Sequence, residues 1–139
     1  MNPYGMGMGM GIELNPNMQY KICSAVQPNY CVDSSQGLFE RGDLILYQFH
    51  GGANQRFRFI PDQMMMGCYC IVNMQDGAIQ APRDRQDPGD QCYVDRTTGQ
   101  QGAQRWRVIP GQGQAQGRGV HIVMADGGGF ALDIEGERY

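Results

Sequence analysis

The sequence QRFRFIP at Gln55–Pro61 returns as QRWRVIP at Gln104–Pro110, 49 residues later. Five of the seven positions are identical, and the two that differ remain apolar. Self-similarity at a fixed spacing indicates a structural unit that one chain uses more than once. The two heptapeptides therefore predict a repeat fold, and they are more informative than any catalytic motif in the chain.

A second motif has the same period. It occurs as Tyr20–Cys23 (YKIC), Tyr69–Val72 (YCIV) and Val120–Val123 (VHIV). The isoleucines of the first two copies are 49 residues apart, and the third follows after 51. In both complete copies the heptapeptide's first aromatic lies 35 residues after the isoleucine. These spacings predict three repeats, at about 18–66, 67–117 and 118–139.

The rest of the chain reads as short strands separated by turn-forming residues, and no segment has a sustained helical period. The predicted strands are Gln19–Ala25, Tyr30–Asp33, Asp43–Phe49, Arg56–Ile60, Cys68–Met74, Ala78–Ala81, Gln91–Asp95, Arg105–Ile109, Val120–Ala125 and Phe130–Ile134. Four strands per complete repeat predict an all-β domain. With three repeats, we expect a β-trefoil, in which three hairpins cap a six-stranded barrel.

The third repeat stops early in this sequence. A complete copy would place its aromatic 35 residues after Ile122, near position 157, whereas the sequence ends at Tyr139. We therefore expect an incomplete third repeat that lacks its closing hairpin. Because an open barrel exposes strand edges and core, we expect a partner protein or a second copy to complete it. Infolding of residues 10–18, or a longer gene product, are the alternatives.

The N-terminal segment alternates glycine with methionine, and glycine-rich backbone loses much entropy when it is ordered. We predict a flexible Gly/Met-rich arm over residues 1–17 and the trefoil domain over residues 18–139. In the alternative interpretation, the methionines form an adaptable contact that becomes ordered on a partner.

Several segments resemble ricin B-type lectin domains. HGGANQRF at His50–Phe57 is similar to that family's Gly-Gly-x-Asn-Gln-x-Trp signature, and Gln104–Trp106 carries Gln-x-Trp unaltered. Cys31–Asp33 and Ala131–Asp133 resemble the family's Cys-Leu-Asp strand, and Gly67–Asn73 resembles its opening strand. The resemblance begins at about residue 18, continues to the end of the sequence, and implies the same β-trefoil fold.

The glutamine–aromatic motif has a structural reason. We expect Phe57 and Trp106 to fill the barrel floor, where large side chains from successive repeats bury much apolar area. The glutamine that precedes each aromatic, Gln55 or Gln104, is expected to bond the backbone of the hairpin turn. Phe57, Gln104 and Trp106 are therefore predicted to be structural.

The resemblance also implies a carbohydrate site. Members of the family hold a sugar with an aspartate, an aromatic platform and an Asn-Gln pair, because rings stack on C–H faces and polar groups bond hydroxyls. Carried over residue by residue, these are Asp33, Tyr47, Asn54 and Gln55 in the first repeat. Ile45 departs from the polar residue that the family often has two positions before the platform.

The other two repeats depart further from the pattern. In the second repeat Gln80 replaces the aspartate and Ala103 replaces the asparagine, and no aromatic platform is clear. The third repeat has Asp133 without the rest of a pocket. At most one sugar site is therefore expected, in the first repeat, where His50 adds a polar group nearby.

The same residues also have structural explanations: Asp33 as a turn cap, Tyr47 as a packed strand residue, and Asn54 and Gln55 as hairpin supports. Two functional hypotheses follow. The first is a non-catalytic interaction module that serves as a structural or scaffold component of a larger assembly. The second is a lectin with one sugar site and glycans as partners. A trefoil protease inhibitor is a weaker alternative.

Composition narrows the function classes. The 139-residue chain has a formal net charge of −3, so it has no basic field for nucleic acid. It contains no run of about 18 apolar residues, which predicts no membrane insertion. The N-terminus lacks a charged region followed by an apolar stretch, so no secretory signal is expected. We therefore predict an intracellular protein.

The potentially reactive side chains follow no pattern of catalysis or metal binding. The five cysteines are an odd number without zinc-site spacing, and we expect reduced thiols and no disulfide framework. His50 and His121 are too few for a metal site or an acid–base pair. No activated serine or phosphate-binding glycine loop is evident. We predict no enzymatic activity, no cofactor and no metal.

Overall fold

The computed structural model describes residues 12–35, 41–75, 77–80, 92–95, 103–111 and 119–125. Within these ranges the secondary structure consists of nine strands and one turn of 3-10 helix at Ala53–Gln55. The strands are β1 (Tyr30–Asp33), β2 (Arg41–Asp43), β3 (Ile45–Gln48), β4 (Phe57–Pro61), β5 (Tyr69–Asn73), β6 (Gly77–Gln80), β7 (Tyr93–Asp95), β8 (Trp106–Pro110) and β9 (Val120–Met124). The all-β prediction is confirmed.

The strands form two antiparallel sheets. The larger has seven strands in the order β2-β7-β6-β5-β8-β9, and β4 also pairs with β5. The smaller is the hairpin of β1 and β3. No helix in the described ranges has the length and apolar character needed to cross a bilayer.

The 49-residue period appears directly in the strand register. Tyr20 bridges to Phe57 in the first repeat, and Tyr69 pairs with Trp106 in the second. The connections to the following repeats also match, because β4 pairs with β5 as β8 pairs with β9. In both hairpins the proline that ends the heptapeptide lies opposite the first residue of the next strand. Equivalent sequence positions therefore occupy equivalent pairing positions.

The core is built from residues that the repeat analysis singled out. Phe57 and Trp106 are 0% and 1% exposed and belong to one apolar cluster. Its other buried members are Phe59, Tyr69, Ile71, Ile79, Val108, Ile122 and Met124. Edge-to-face contacts of Phe59 with Tyr20 and Tyr69, at centroid distances of 5.7 and 5.9 Å, join the two repeats. Such pairs add to the stabilisation that burial provides.

The segment before the barrel packs against this core. The Ile12 backbone N–H donates to the carbonyl of Val108 at 2.8 Å. The Tyr69 hydroxyl donates to the carbonyl of Ile12 at 3.2 Å and accepts from the N–H of Leu14 at 3.1 Å. Ile12 and Leu14 are partly buried against the apolar cluster, so their burial compensates for the entropy lost on ordering.

These contacts correct the extent of the predicted flexible arm. The predicted arm covers residues 1–17, whereas Ile12, Leu14 and Pro16 contact the barrel. The Arg58 guanidinium donates twice to the carbonyl of Pro16, at 3.0 and 2.9 Å. Residues 1–11 lie outside the described ranges, so the prediction for them stands as it was made.

Two of the described cysteines lie close together. Cys23 and Cys31 face each other across an isolated antiparallel bridge and lie at disulfide distance, with 4.0 Å between their Cα atoms. The isolated bridge brings these two cysteines together, and the expectation of five reduced thiols stays a prediction. Of the other described cysteines, Cys68 and Cys70 are buried and Cys92 is partly buried.

The predicted incompleteness of the third repeat cannot be compared with the fold. Its first strand is present as β9. The predicted strand at Phe130–Ile134, and Asp133 with it, lie outside the described residues.

Candidate functional site on the first repeat

The register of the β1–β3 hairpin determines which side chains share a face. Asp33 lies opposite Ile45, and Cys31 lies opposite Tyr47. Residues directly opposite each other in an antiparallel pair point to the same face. The carboxylate of Asp33 and the ring of Tyr47 therefore lie on one side of the hairpin.

Asp33 is the polar centre of this face. It is only 3% exposed. Its Oδ1 accepts a hydrogen bond of 2.8 Å from Asn54 Nδ2, and its Oδ2 accepts one of 3.0 Å from Gln55 Nε2. Both amides come from the 3-10 turn at Ala53–Gln55 that precedes β4. The turn thus brings the Asn-Gln pair onto the end of β1, and three of the four predicted site residues form one buried cluster.

Gln55 connects this cluster to the hairpin turn. Its Oε1 accepts from the backbone N–H groups of His50 at 2.8 Å and Gly51 at 3.1 Å. Its Nε2 also donates to the carbonyl of Gln48 at 2.9 Å. Gly51 has a φ of +82°, which side chains disfavour. One buried side chain therefore fixes the backbone just after β3, as expected for the glutamine of the motif.

His50 and Tyr47 form the outer rim of the site. The Gly52 N–H donates to His50 Nδ1 at 3.1 Å, so the neutral ring carries its proton on Nε2. That Nε2 lies 3.6 Å from Asp33 Oδ2. The rings of Tyr47 and His50 meet edge to face with their centroids 6.1 Å apart. Tyr47 remains 54% exposed.

Two buried polar atoms in the cluster have no hydrogen-bond partner among the described residues. They are Asn54 Oδ1 and Ser34 Oγ. The backbones of these residues are joined, because the Ser34 N–H donates to the Asn54 carbonyl at 3.0 Å. Ser34 was not singled out by sequence analysis. No sequence pattern marks the serine after the Cys-Val-Asp strand as a site residue.

The equivalent position in the second repeat has different chemistry. Gln80 is buried where Asp33 stands, and its Oε1 accepts from the backbone N–H of Gln104 at 2.9 Å. Ala103 is buried where Asn54 stands. Trp106 Nε1 donates to the carbonyl of Ile79 at 3.2 Å. This cluster supplies no carboxylate, so it lacks the polar centre of the first repeat.

The structure shows an apolar surface that sequence analysis did not emphasise. Ile45, Tyr47 and Phe49 alternate along β3 and its continuation, and we call them the apolar row. They are 41%, 54% and 39% exposed, respectively. The Lys21 ammonium lies 4.5 Å from the centroid of the Phe49 ring. The period-2 pattern was visible in the sequence, but only the structure shows that this face remains open.

A second polar cluster lies on the loop between β4 and β5. Asp62 Oδ1 accepts from Arg105 Nε at 2.8 Å, and its Oδ2 accepts from the backbone N–H groups of Met64 and Met65. The Arg105 hydrogen bond, followed by that from Met65, lowers the pKa of Asp62. Burial raises the pKa of the Cys70 thiol to about 11. The Asp62 contacts order this loop.

Neither cluster resembles a metal centre. In the described ranges no three His, Cys, Asp or Glu side chains come close enough together to hold an ion. The first-repeat site therefore combines one exposed ring, a partly exposed imidazole and a buried carboxylate with its amide donors. It is suited to contact with a ligand surface.

Comparison with known proteins supports the architecture. No family model matches the chain. No curated protein matches it either. It is similar to the crystal structure of ThreeFoil, a designed 3-fold symmetric protein, with a TM-score of 0.64 and 21% identity. The match covers 85% of this chain and 79% of that chain. At this identity the likeness shows the fold alone. With the repeated strand registers, it shows that the chain is an all-β protein with a β-trefoil fold.

Proposed function

We propose that this chain is a non-catalytic interaction module that serves as a structural or scaffold component of a larger protein assembly. The observation that carries the proposal is the exposure of the apolar row, Ile45, Tyr47 and Phe49. Side chains at alternate strand positions point to one face. Contiguous exposed apolar groups that include aromatics are typical of protein contact sites. The row therefore supplies a protein-binding surface.

The polar cluster beneath the row acts in support of it. Asp33 and Asn54 are nearly fully buried, and the carboxylate already accepts two amide hydrogen bonds. These groups point inward, where they hold β1, the 3-10 turn and the hairpin turn together. A buried, hydrogen-bonded network of this kind fixes one conformation. In this proposal it presents the row to a partner in a fixed shape.

The proposed setting is an intracellular assembly, in which the contact is made with a partner protein or a second copy of the chain. The setting rests on the cysteine spacing, which is not that of a disulfide framework. We also propose kinship with ricin B-type lectin domains. It is supported by the placement of the Asp, Asn and Gln of the first repeat in one cluster.

A lectin is the second candidate, and one observation favours it. Tyr47 and Asp33 share a face, and the buried Asn54 Oδ1 has no partner among the described residues. A sugar stacked on Tyr47 would reach this carboxylate and amide only if one of the hydrogen bonds that Asn54 and Gln55 donate to Asp33 opened. Individual lectin sites are weak and gain affinity when several act together, and the described residues of the second repeat offer no equivalent. The described loops give no specific support to a protease inhibitor.

The test is the size of the native protein and its variants, measured by size-exclusion chromatography with light scattering on material from its own cells. We expect the wild-type chain to elute in a complex larger than one chain. The double variant Ile45→Ser, Tyr47→Ser should leave that complex because the apolar contact is lost. The matched control is Met64→Ser, Met66→Ser, which removes two apolar side chains that are 89% and 85% exposed in the β4–β5 loop.

A glycan array separates the two candidates. The scaffold proposal predicts no glycan signal for the wild-type protein. A signal that Tyr47→Ala abolishes, with the wild-type chain eluting alone, would replace the scaffold proposal with the lectin. If the wild-type chain elutes as a single copy and the array gives no signal, both candidate functions are excluded.

A further inference from the structure

The hydrogen bonds around the first hairpin show which way the backbone of β3 faces. The Phe49 N–H donates to the carbonyl of Asn29 at 2.9 Å, so this pair is hydrogen bonded between the two strands. On the other side of β1, the Val32 N–H donates to the carbonyl of Ile22 at 2.7 Å. Hydrogen-bonded and non-bonded pairs alternate along an antiparallel ladder. Ile45 and Tyr47 therefore direct their backbone groups toward β1, whereas Leu46 and Gln48 direct theirs away from it.

The outward edge of β3 leaves part of its bonding capacity unused. The carbonyl of Gln48 accepts from Gln55 Nε2. One residue before the strand, the Leu44 N–H donates to the carbonyl of Cys92 at 3.0 Å. Between these points, the N–H and carbonyl of Leu46 and the N–H of Gln48 have no partner in the part of the chain that the structure describes. β3 is accordingly the outer strand of a two-stranded sheet.

The residues of this edge carry neither charge nor proline, two of the features that protect edge strands. Natural proteins block such edges with charged side chains, proline or bulges. The four residues of β3 are isoleucine, leucine, tyrosine and glutamine, without a charge or a proline. The backbone groups of Leu46 face this outer edge. Its neighbours Ile45 and Tyr47 are exposed. An unprotected edge beside exposed apolar groups is suited to pair with another strand.

We propose that the outer edge of β3 binds an extended segment of a partner protein as an additional strand. This inference rests on the function proposed above and specifies the kind of element that the partner contributes. The added strand exchanges backbone hydrogen bonds with Leu46 and Gln48 and lays alternate apolar side chains beside Ile45 and Tyr47. A helix does not fit this role, since its backbone groups already bond to one another, whereas strand addition uses both main-chain bonds and alternate side-chain contacts.

The probe is a phage-displayed library of random 12-residue peptides, selected on the wild-type protein. The enriched sequences should alternate apolar with polar residues. A synthetic enriched peptide should slow hydrogen exchange of the Leu46 and Gln48 amides at least about tenfold, because each amide gains a bonded partner. In the free protein both amides should exchange rapidly.

Two matched pairs of changes test the backbone contact. Leu46→Pro removes an outward N–H that the described hairpin does not use, and edge strands tolerate such a proline. It should weaken peptide binding about tenfold or more, while Leu46→Ala, which keeps the N–H, should change it less than about threefold; one lost hydrogen bond and the proline ring together account for this size. N-methylation of peptide amides that face β3 should abolish binding in the unaltered protein, and N-methylation of the intervening amides should not.

Several results would overturn the inference. These are a library without enrichment, a peptide that is indifferent to the site of N-methylation, or protected Leu46 and Gln48 amides in the free protein. Concentration-dependent dimerisation that protects the same amides would identify a second copy as the occupant instead. If Ile45→Ser, Tyr47→Ser releases the native complex and Leu46→Pro does not, the interaction module stands and strand addition falls.

Discussion

Asn54 donates a hydrogen bond of 2.8 Å from Nδ2 to Asp33 Oδ1, and both side chains are nearly excluded from solvent. The two residues are 21 positions apart in the chain. Within the first repeat, the bond therefore joins the end of β1 to the turn that precedes β4.

Asp33→Asn should destabilise the protein by about 2 kcal/mol or more, since one acceptor oxygen becomes an N–H donor facing a buried amide donor. Urea denaturation followed by tryptophan fluorescence measures the change. The control is Glu13→Gln, an exposed acidic residue, which should stay within about 0.5 kcal/mol of wild type. Equal stability of the two variants would mean that the Asp33 cluster does not hold the hairpin.

Trp106→Ala should lower the free energy of unfolding by about 3–5 kcal/mol, because a fully buried indole leaves a cavity and its hydrogen bond to Ile79 is lost. Phe57→Ala should do the same at the equivalent place in the first repeat. Thermal melts by circular dichroism measure both. Val26→Ala is the control, as that side chain is largely exposed. An unchanged melting temperature for Trp106→Ala would refute the shared barrel floor.

Because of the Asp62–Arg105 contact, the free energy of unfolding should decrease as the pH falls through the acid range. The hydrogen bond from Arg105 holds the pKa of Asp62 below its usual value near 3.8. A lowered folded-state pKa stabilises the fold above the unfolded pKa, and this contribution is lost as the pH falls through the folded value. Carboxyl NMR titration should therefore give Asp62 a midpoint below about 3.8. In Arg105→Gln that midpoint should move upward; a midpoint that did not move would exclude the contact in solution.

Cys70 should resist thiol reagents in the native protein. Burial raises its pKa to about 11, so little thiolate forms at pH 8. Iodoacetamide labelling at pH 8, followed by peptide mass spectrometry, should modify Cys70 slowly in the folded protein and rapidly in urea. The same shift predicts a loss of stability as the pH rises from about 9 toward 11, because unfolding then releases a proton. Rapid native labelling would contradict this assignment.

The repeat period predicted much of the fold. It identified Phe57 and Trp106 as core residues because equivalent positions in a repeat pair equivalently. The grouping of Asp33, Asn54 and Gln55 was instead implied by the resemblance to ricin B-type lectin domains, and the structure brings these three side chains into contact. In the first case the information is local to a motif, and the repeat supplies the long-range geometry.

Other features could not be read from the sequence because they depend on contacts between distant segments. Infolding of residues 10–18 was one alternative, but the pattern of Ile12 and Leu14 is too short to select it or to show which barrel groups they contact. The proximity of Cys23 and Cys31 depends on strand register, and the Asp62–Arg105 pair depends on how one loop meets the next repeat. Alternation along β3 assigned Tyr47 to a face but did not show that the face is uncovered.

Gln55, by fixing the turn after β3, has a consequence for the thermodynamics of recruitment. The hairpin is preorganised, so a ligand that meets it need not freeze the loop on association. In the Gln55→Ala variant the loop should be less ordered before a ligand binds. Binding should then cost additional entropy, which calorimetry would record as a more negative binding entropy. This is expected even though the Gln55 side chain is hidden from the ligand.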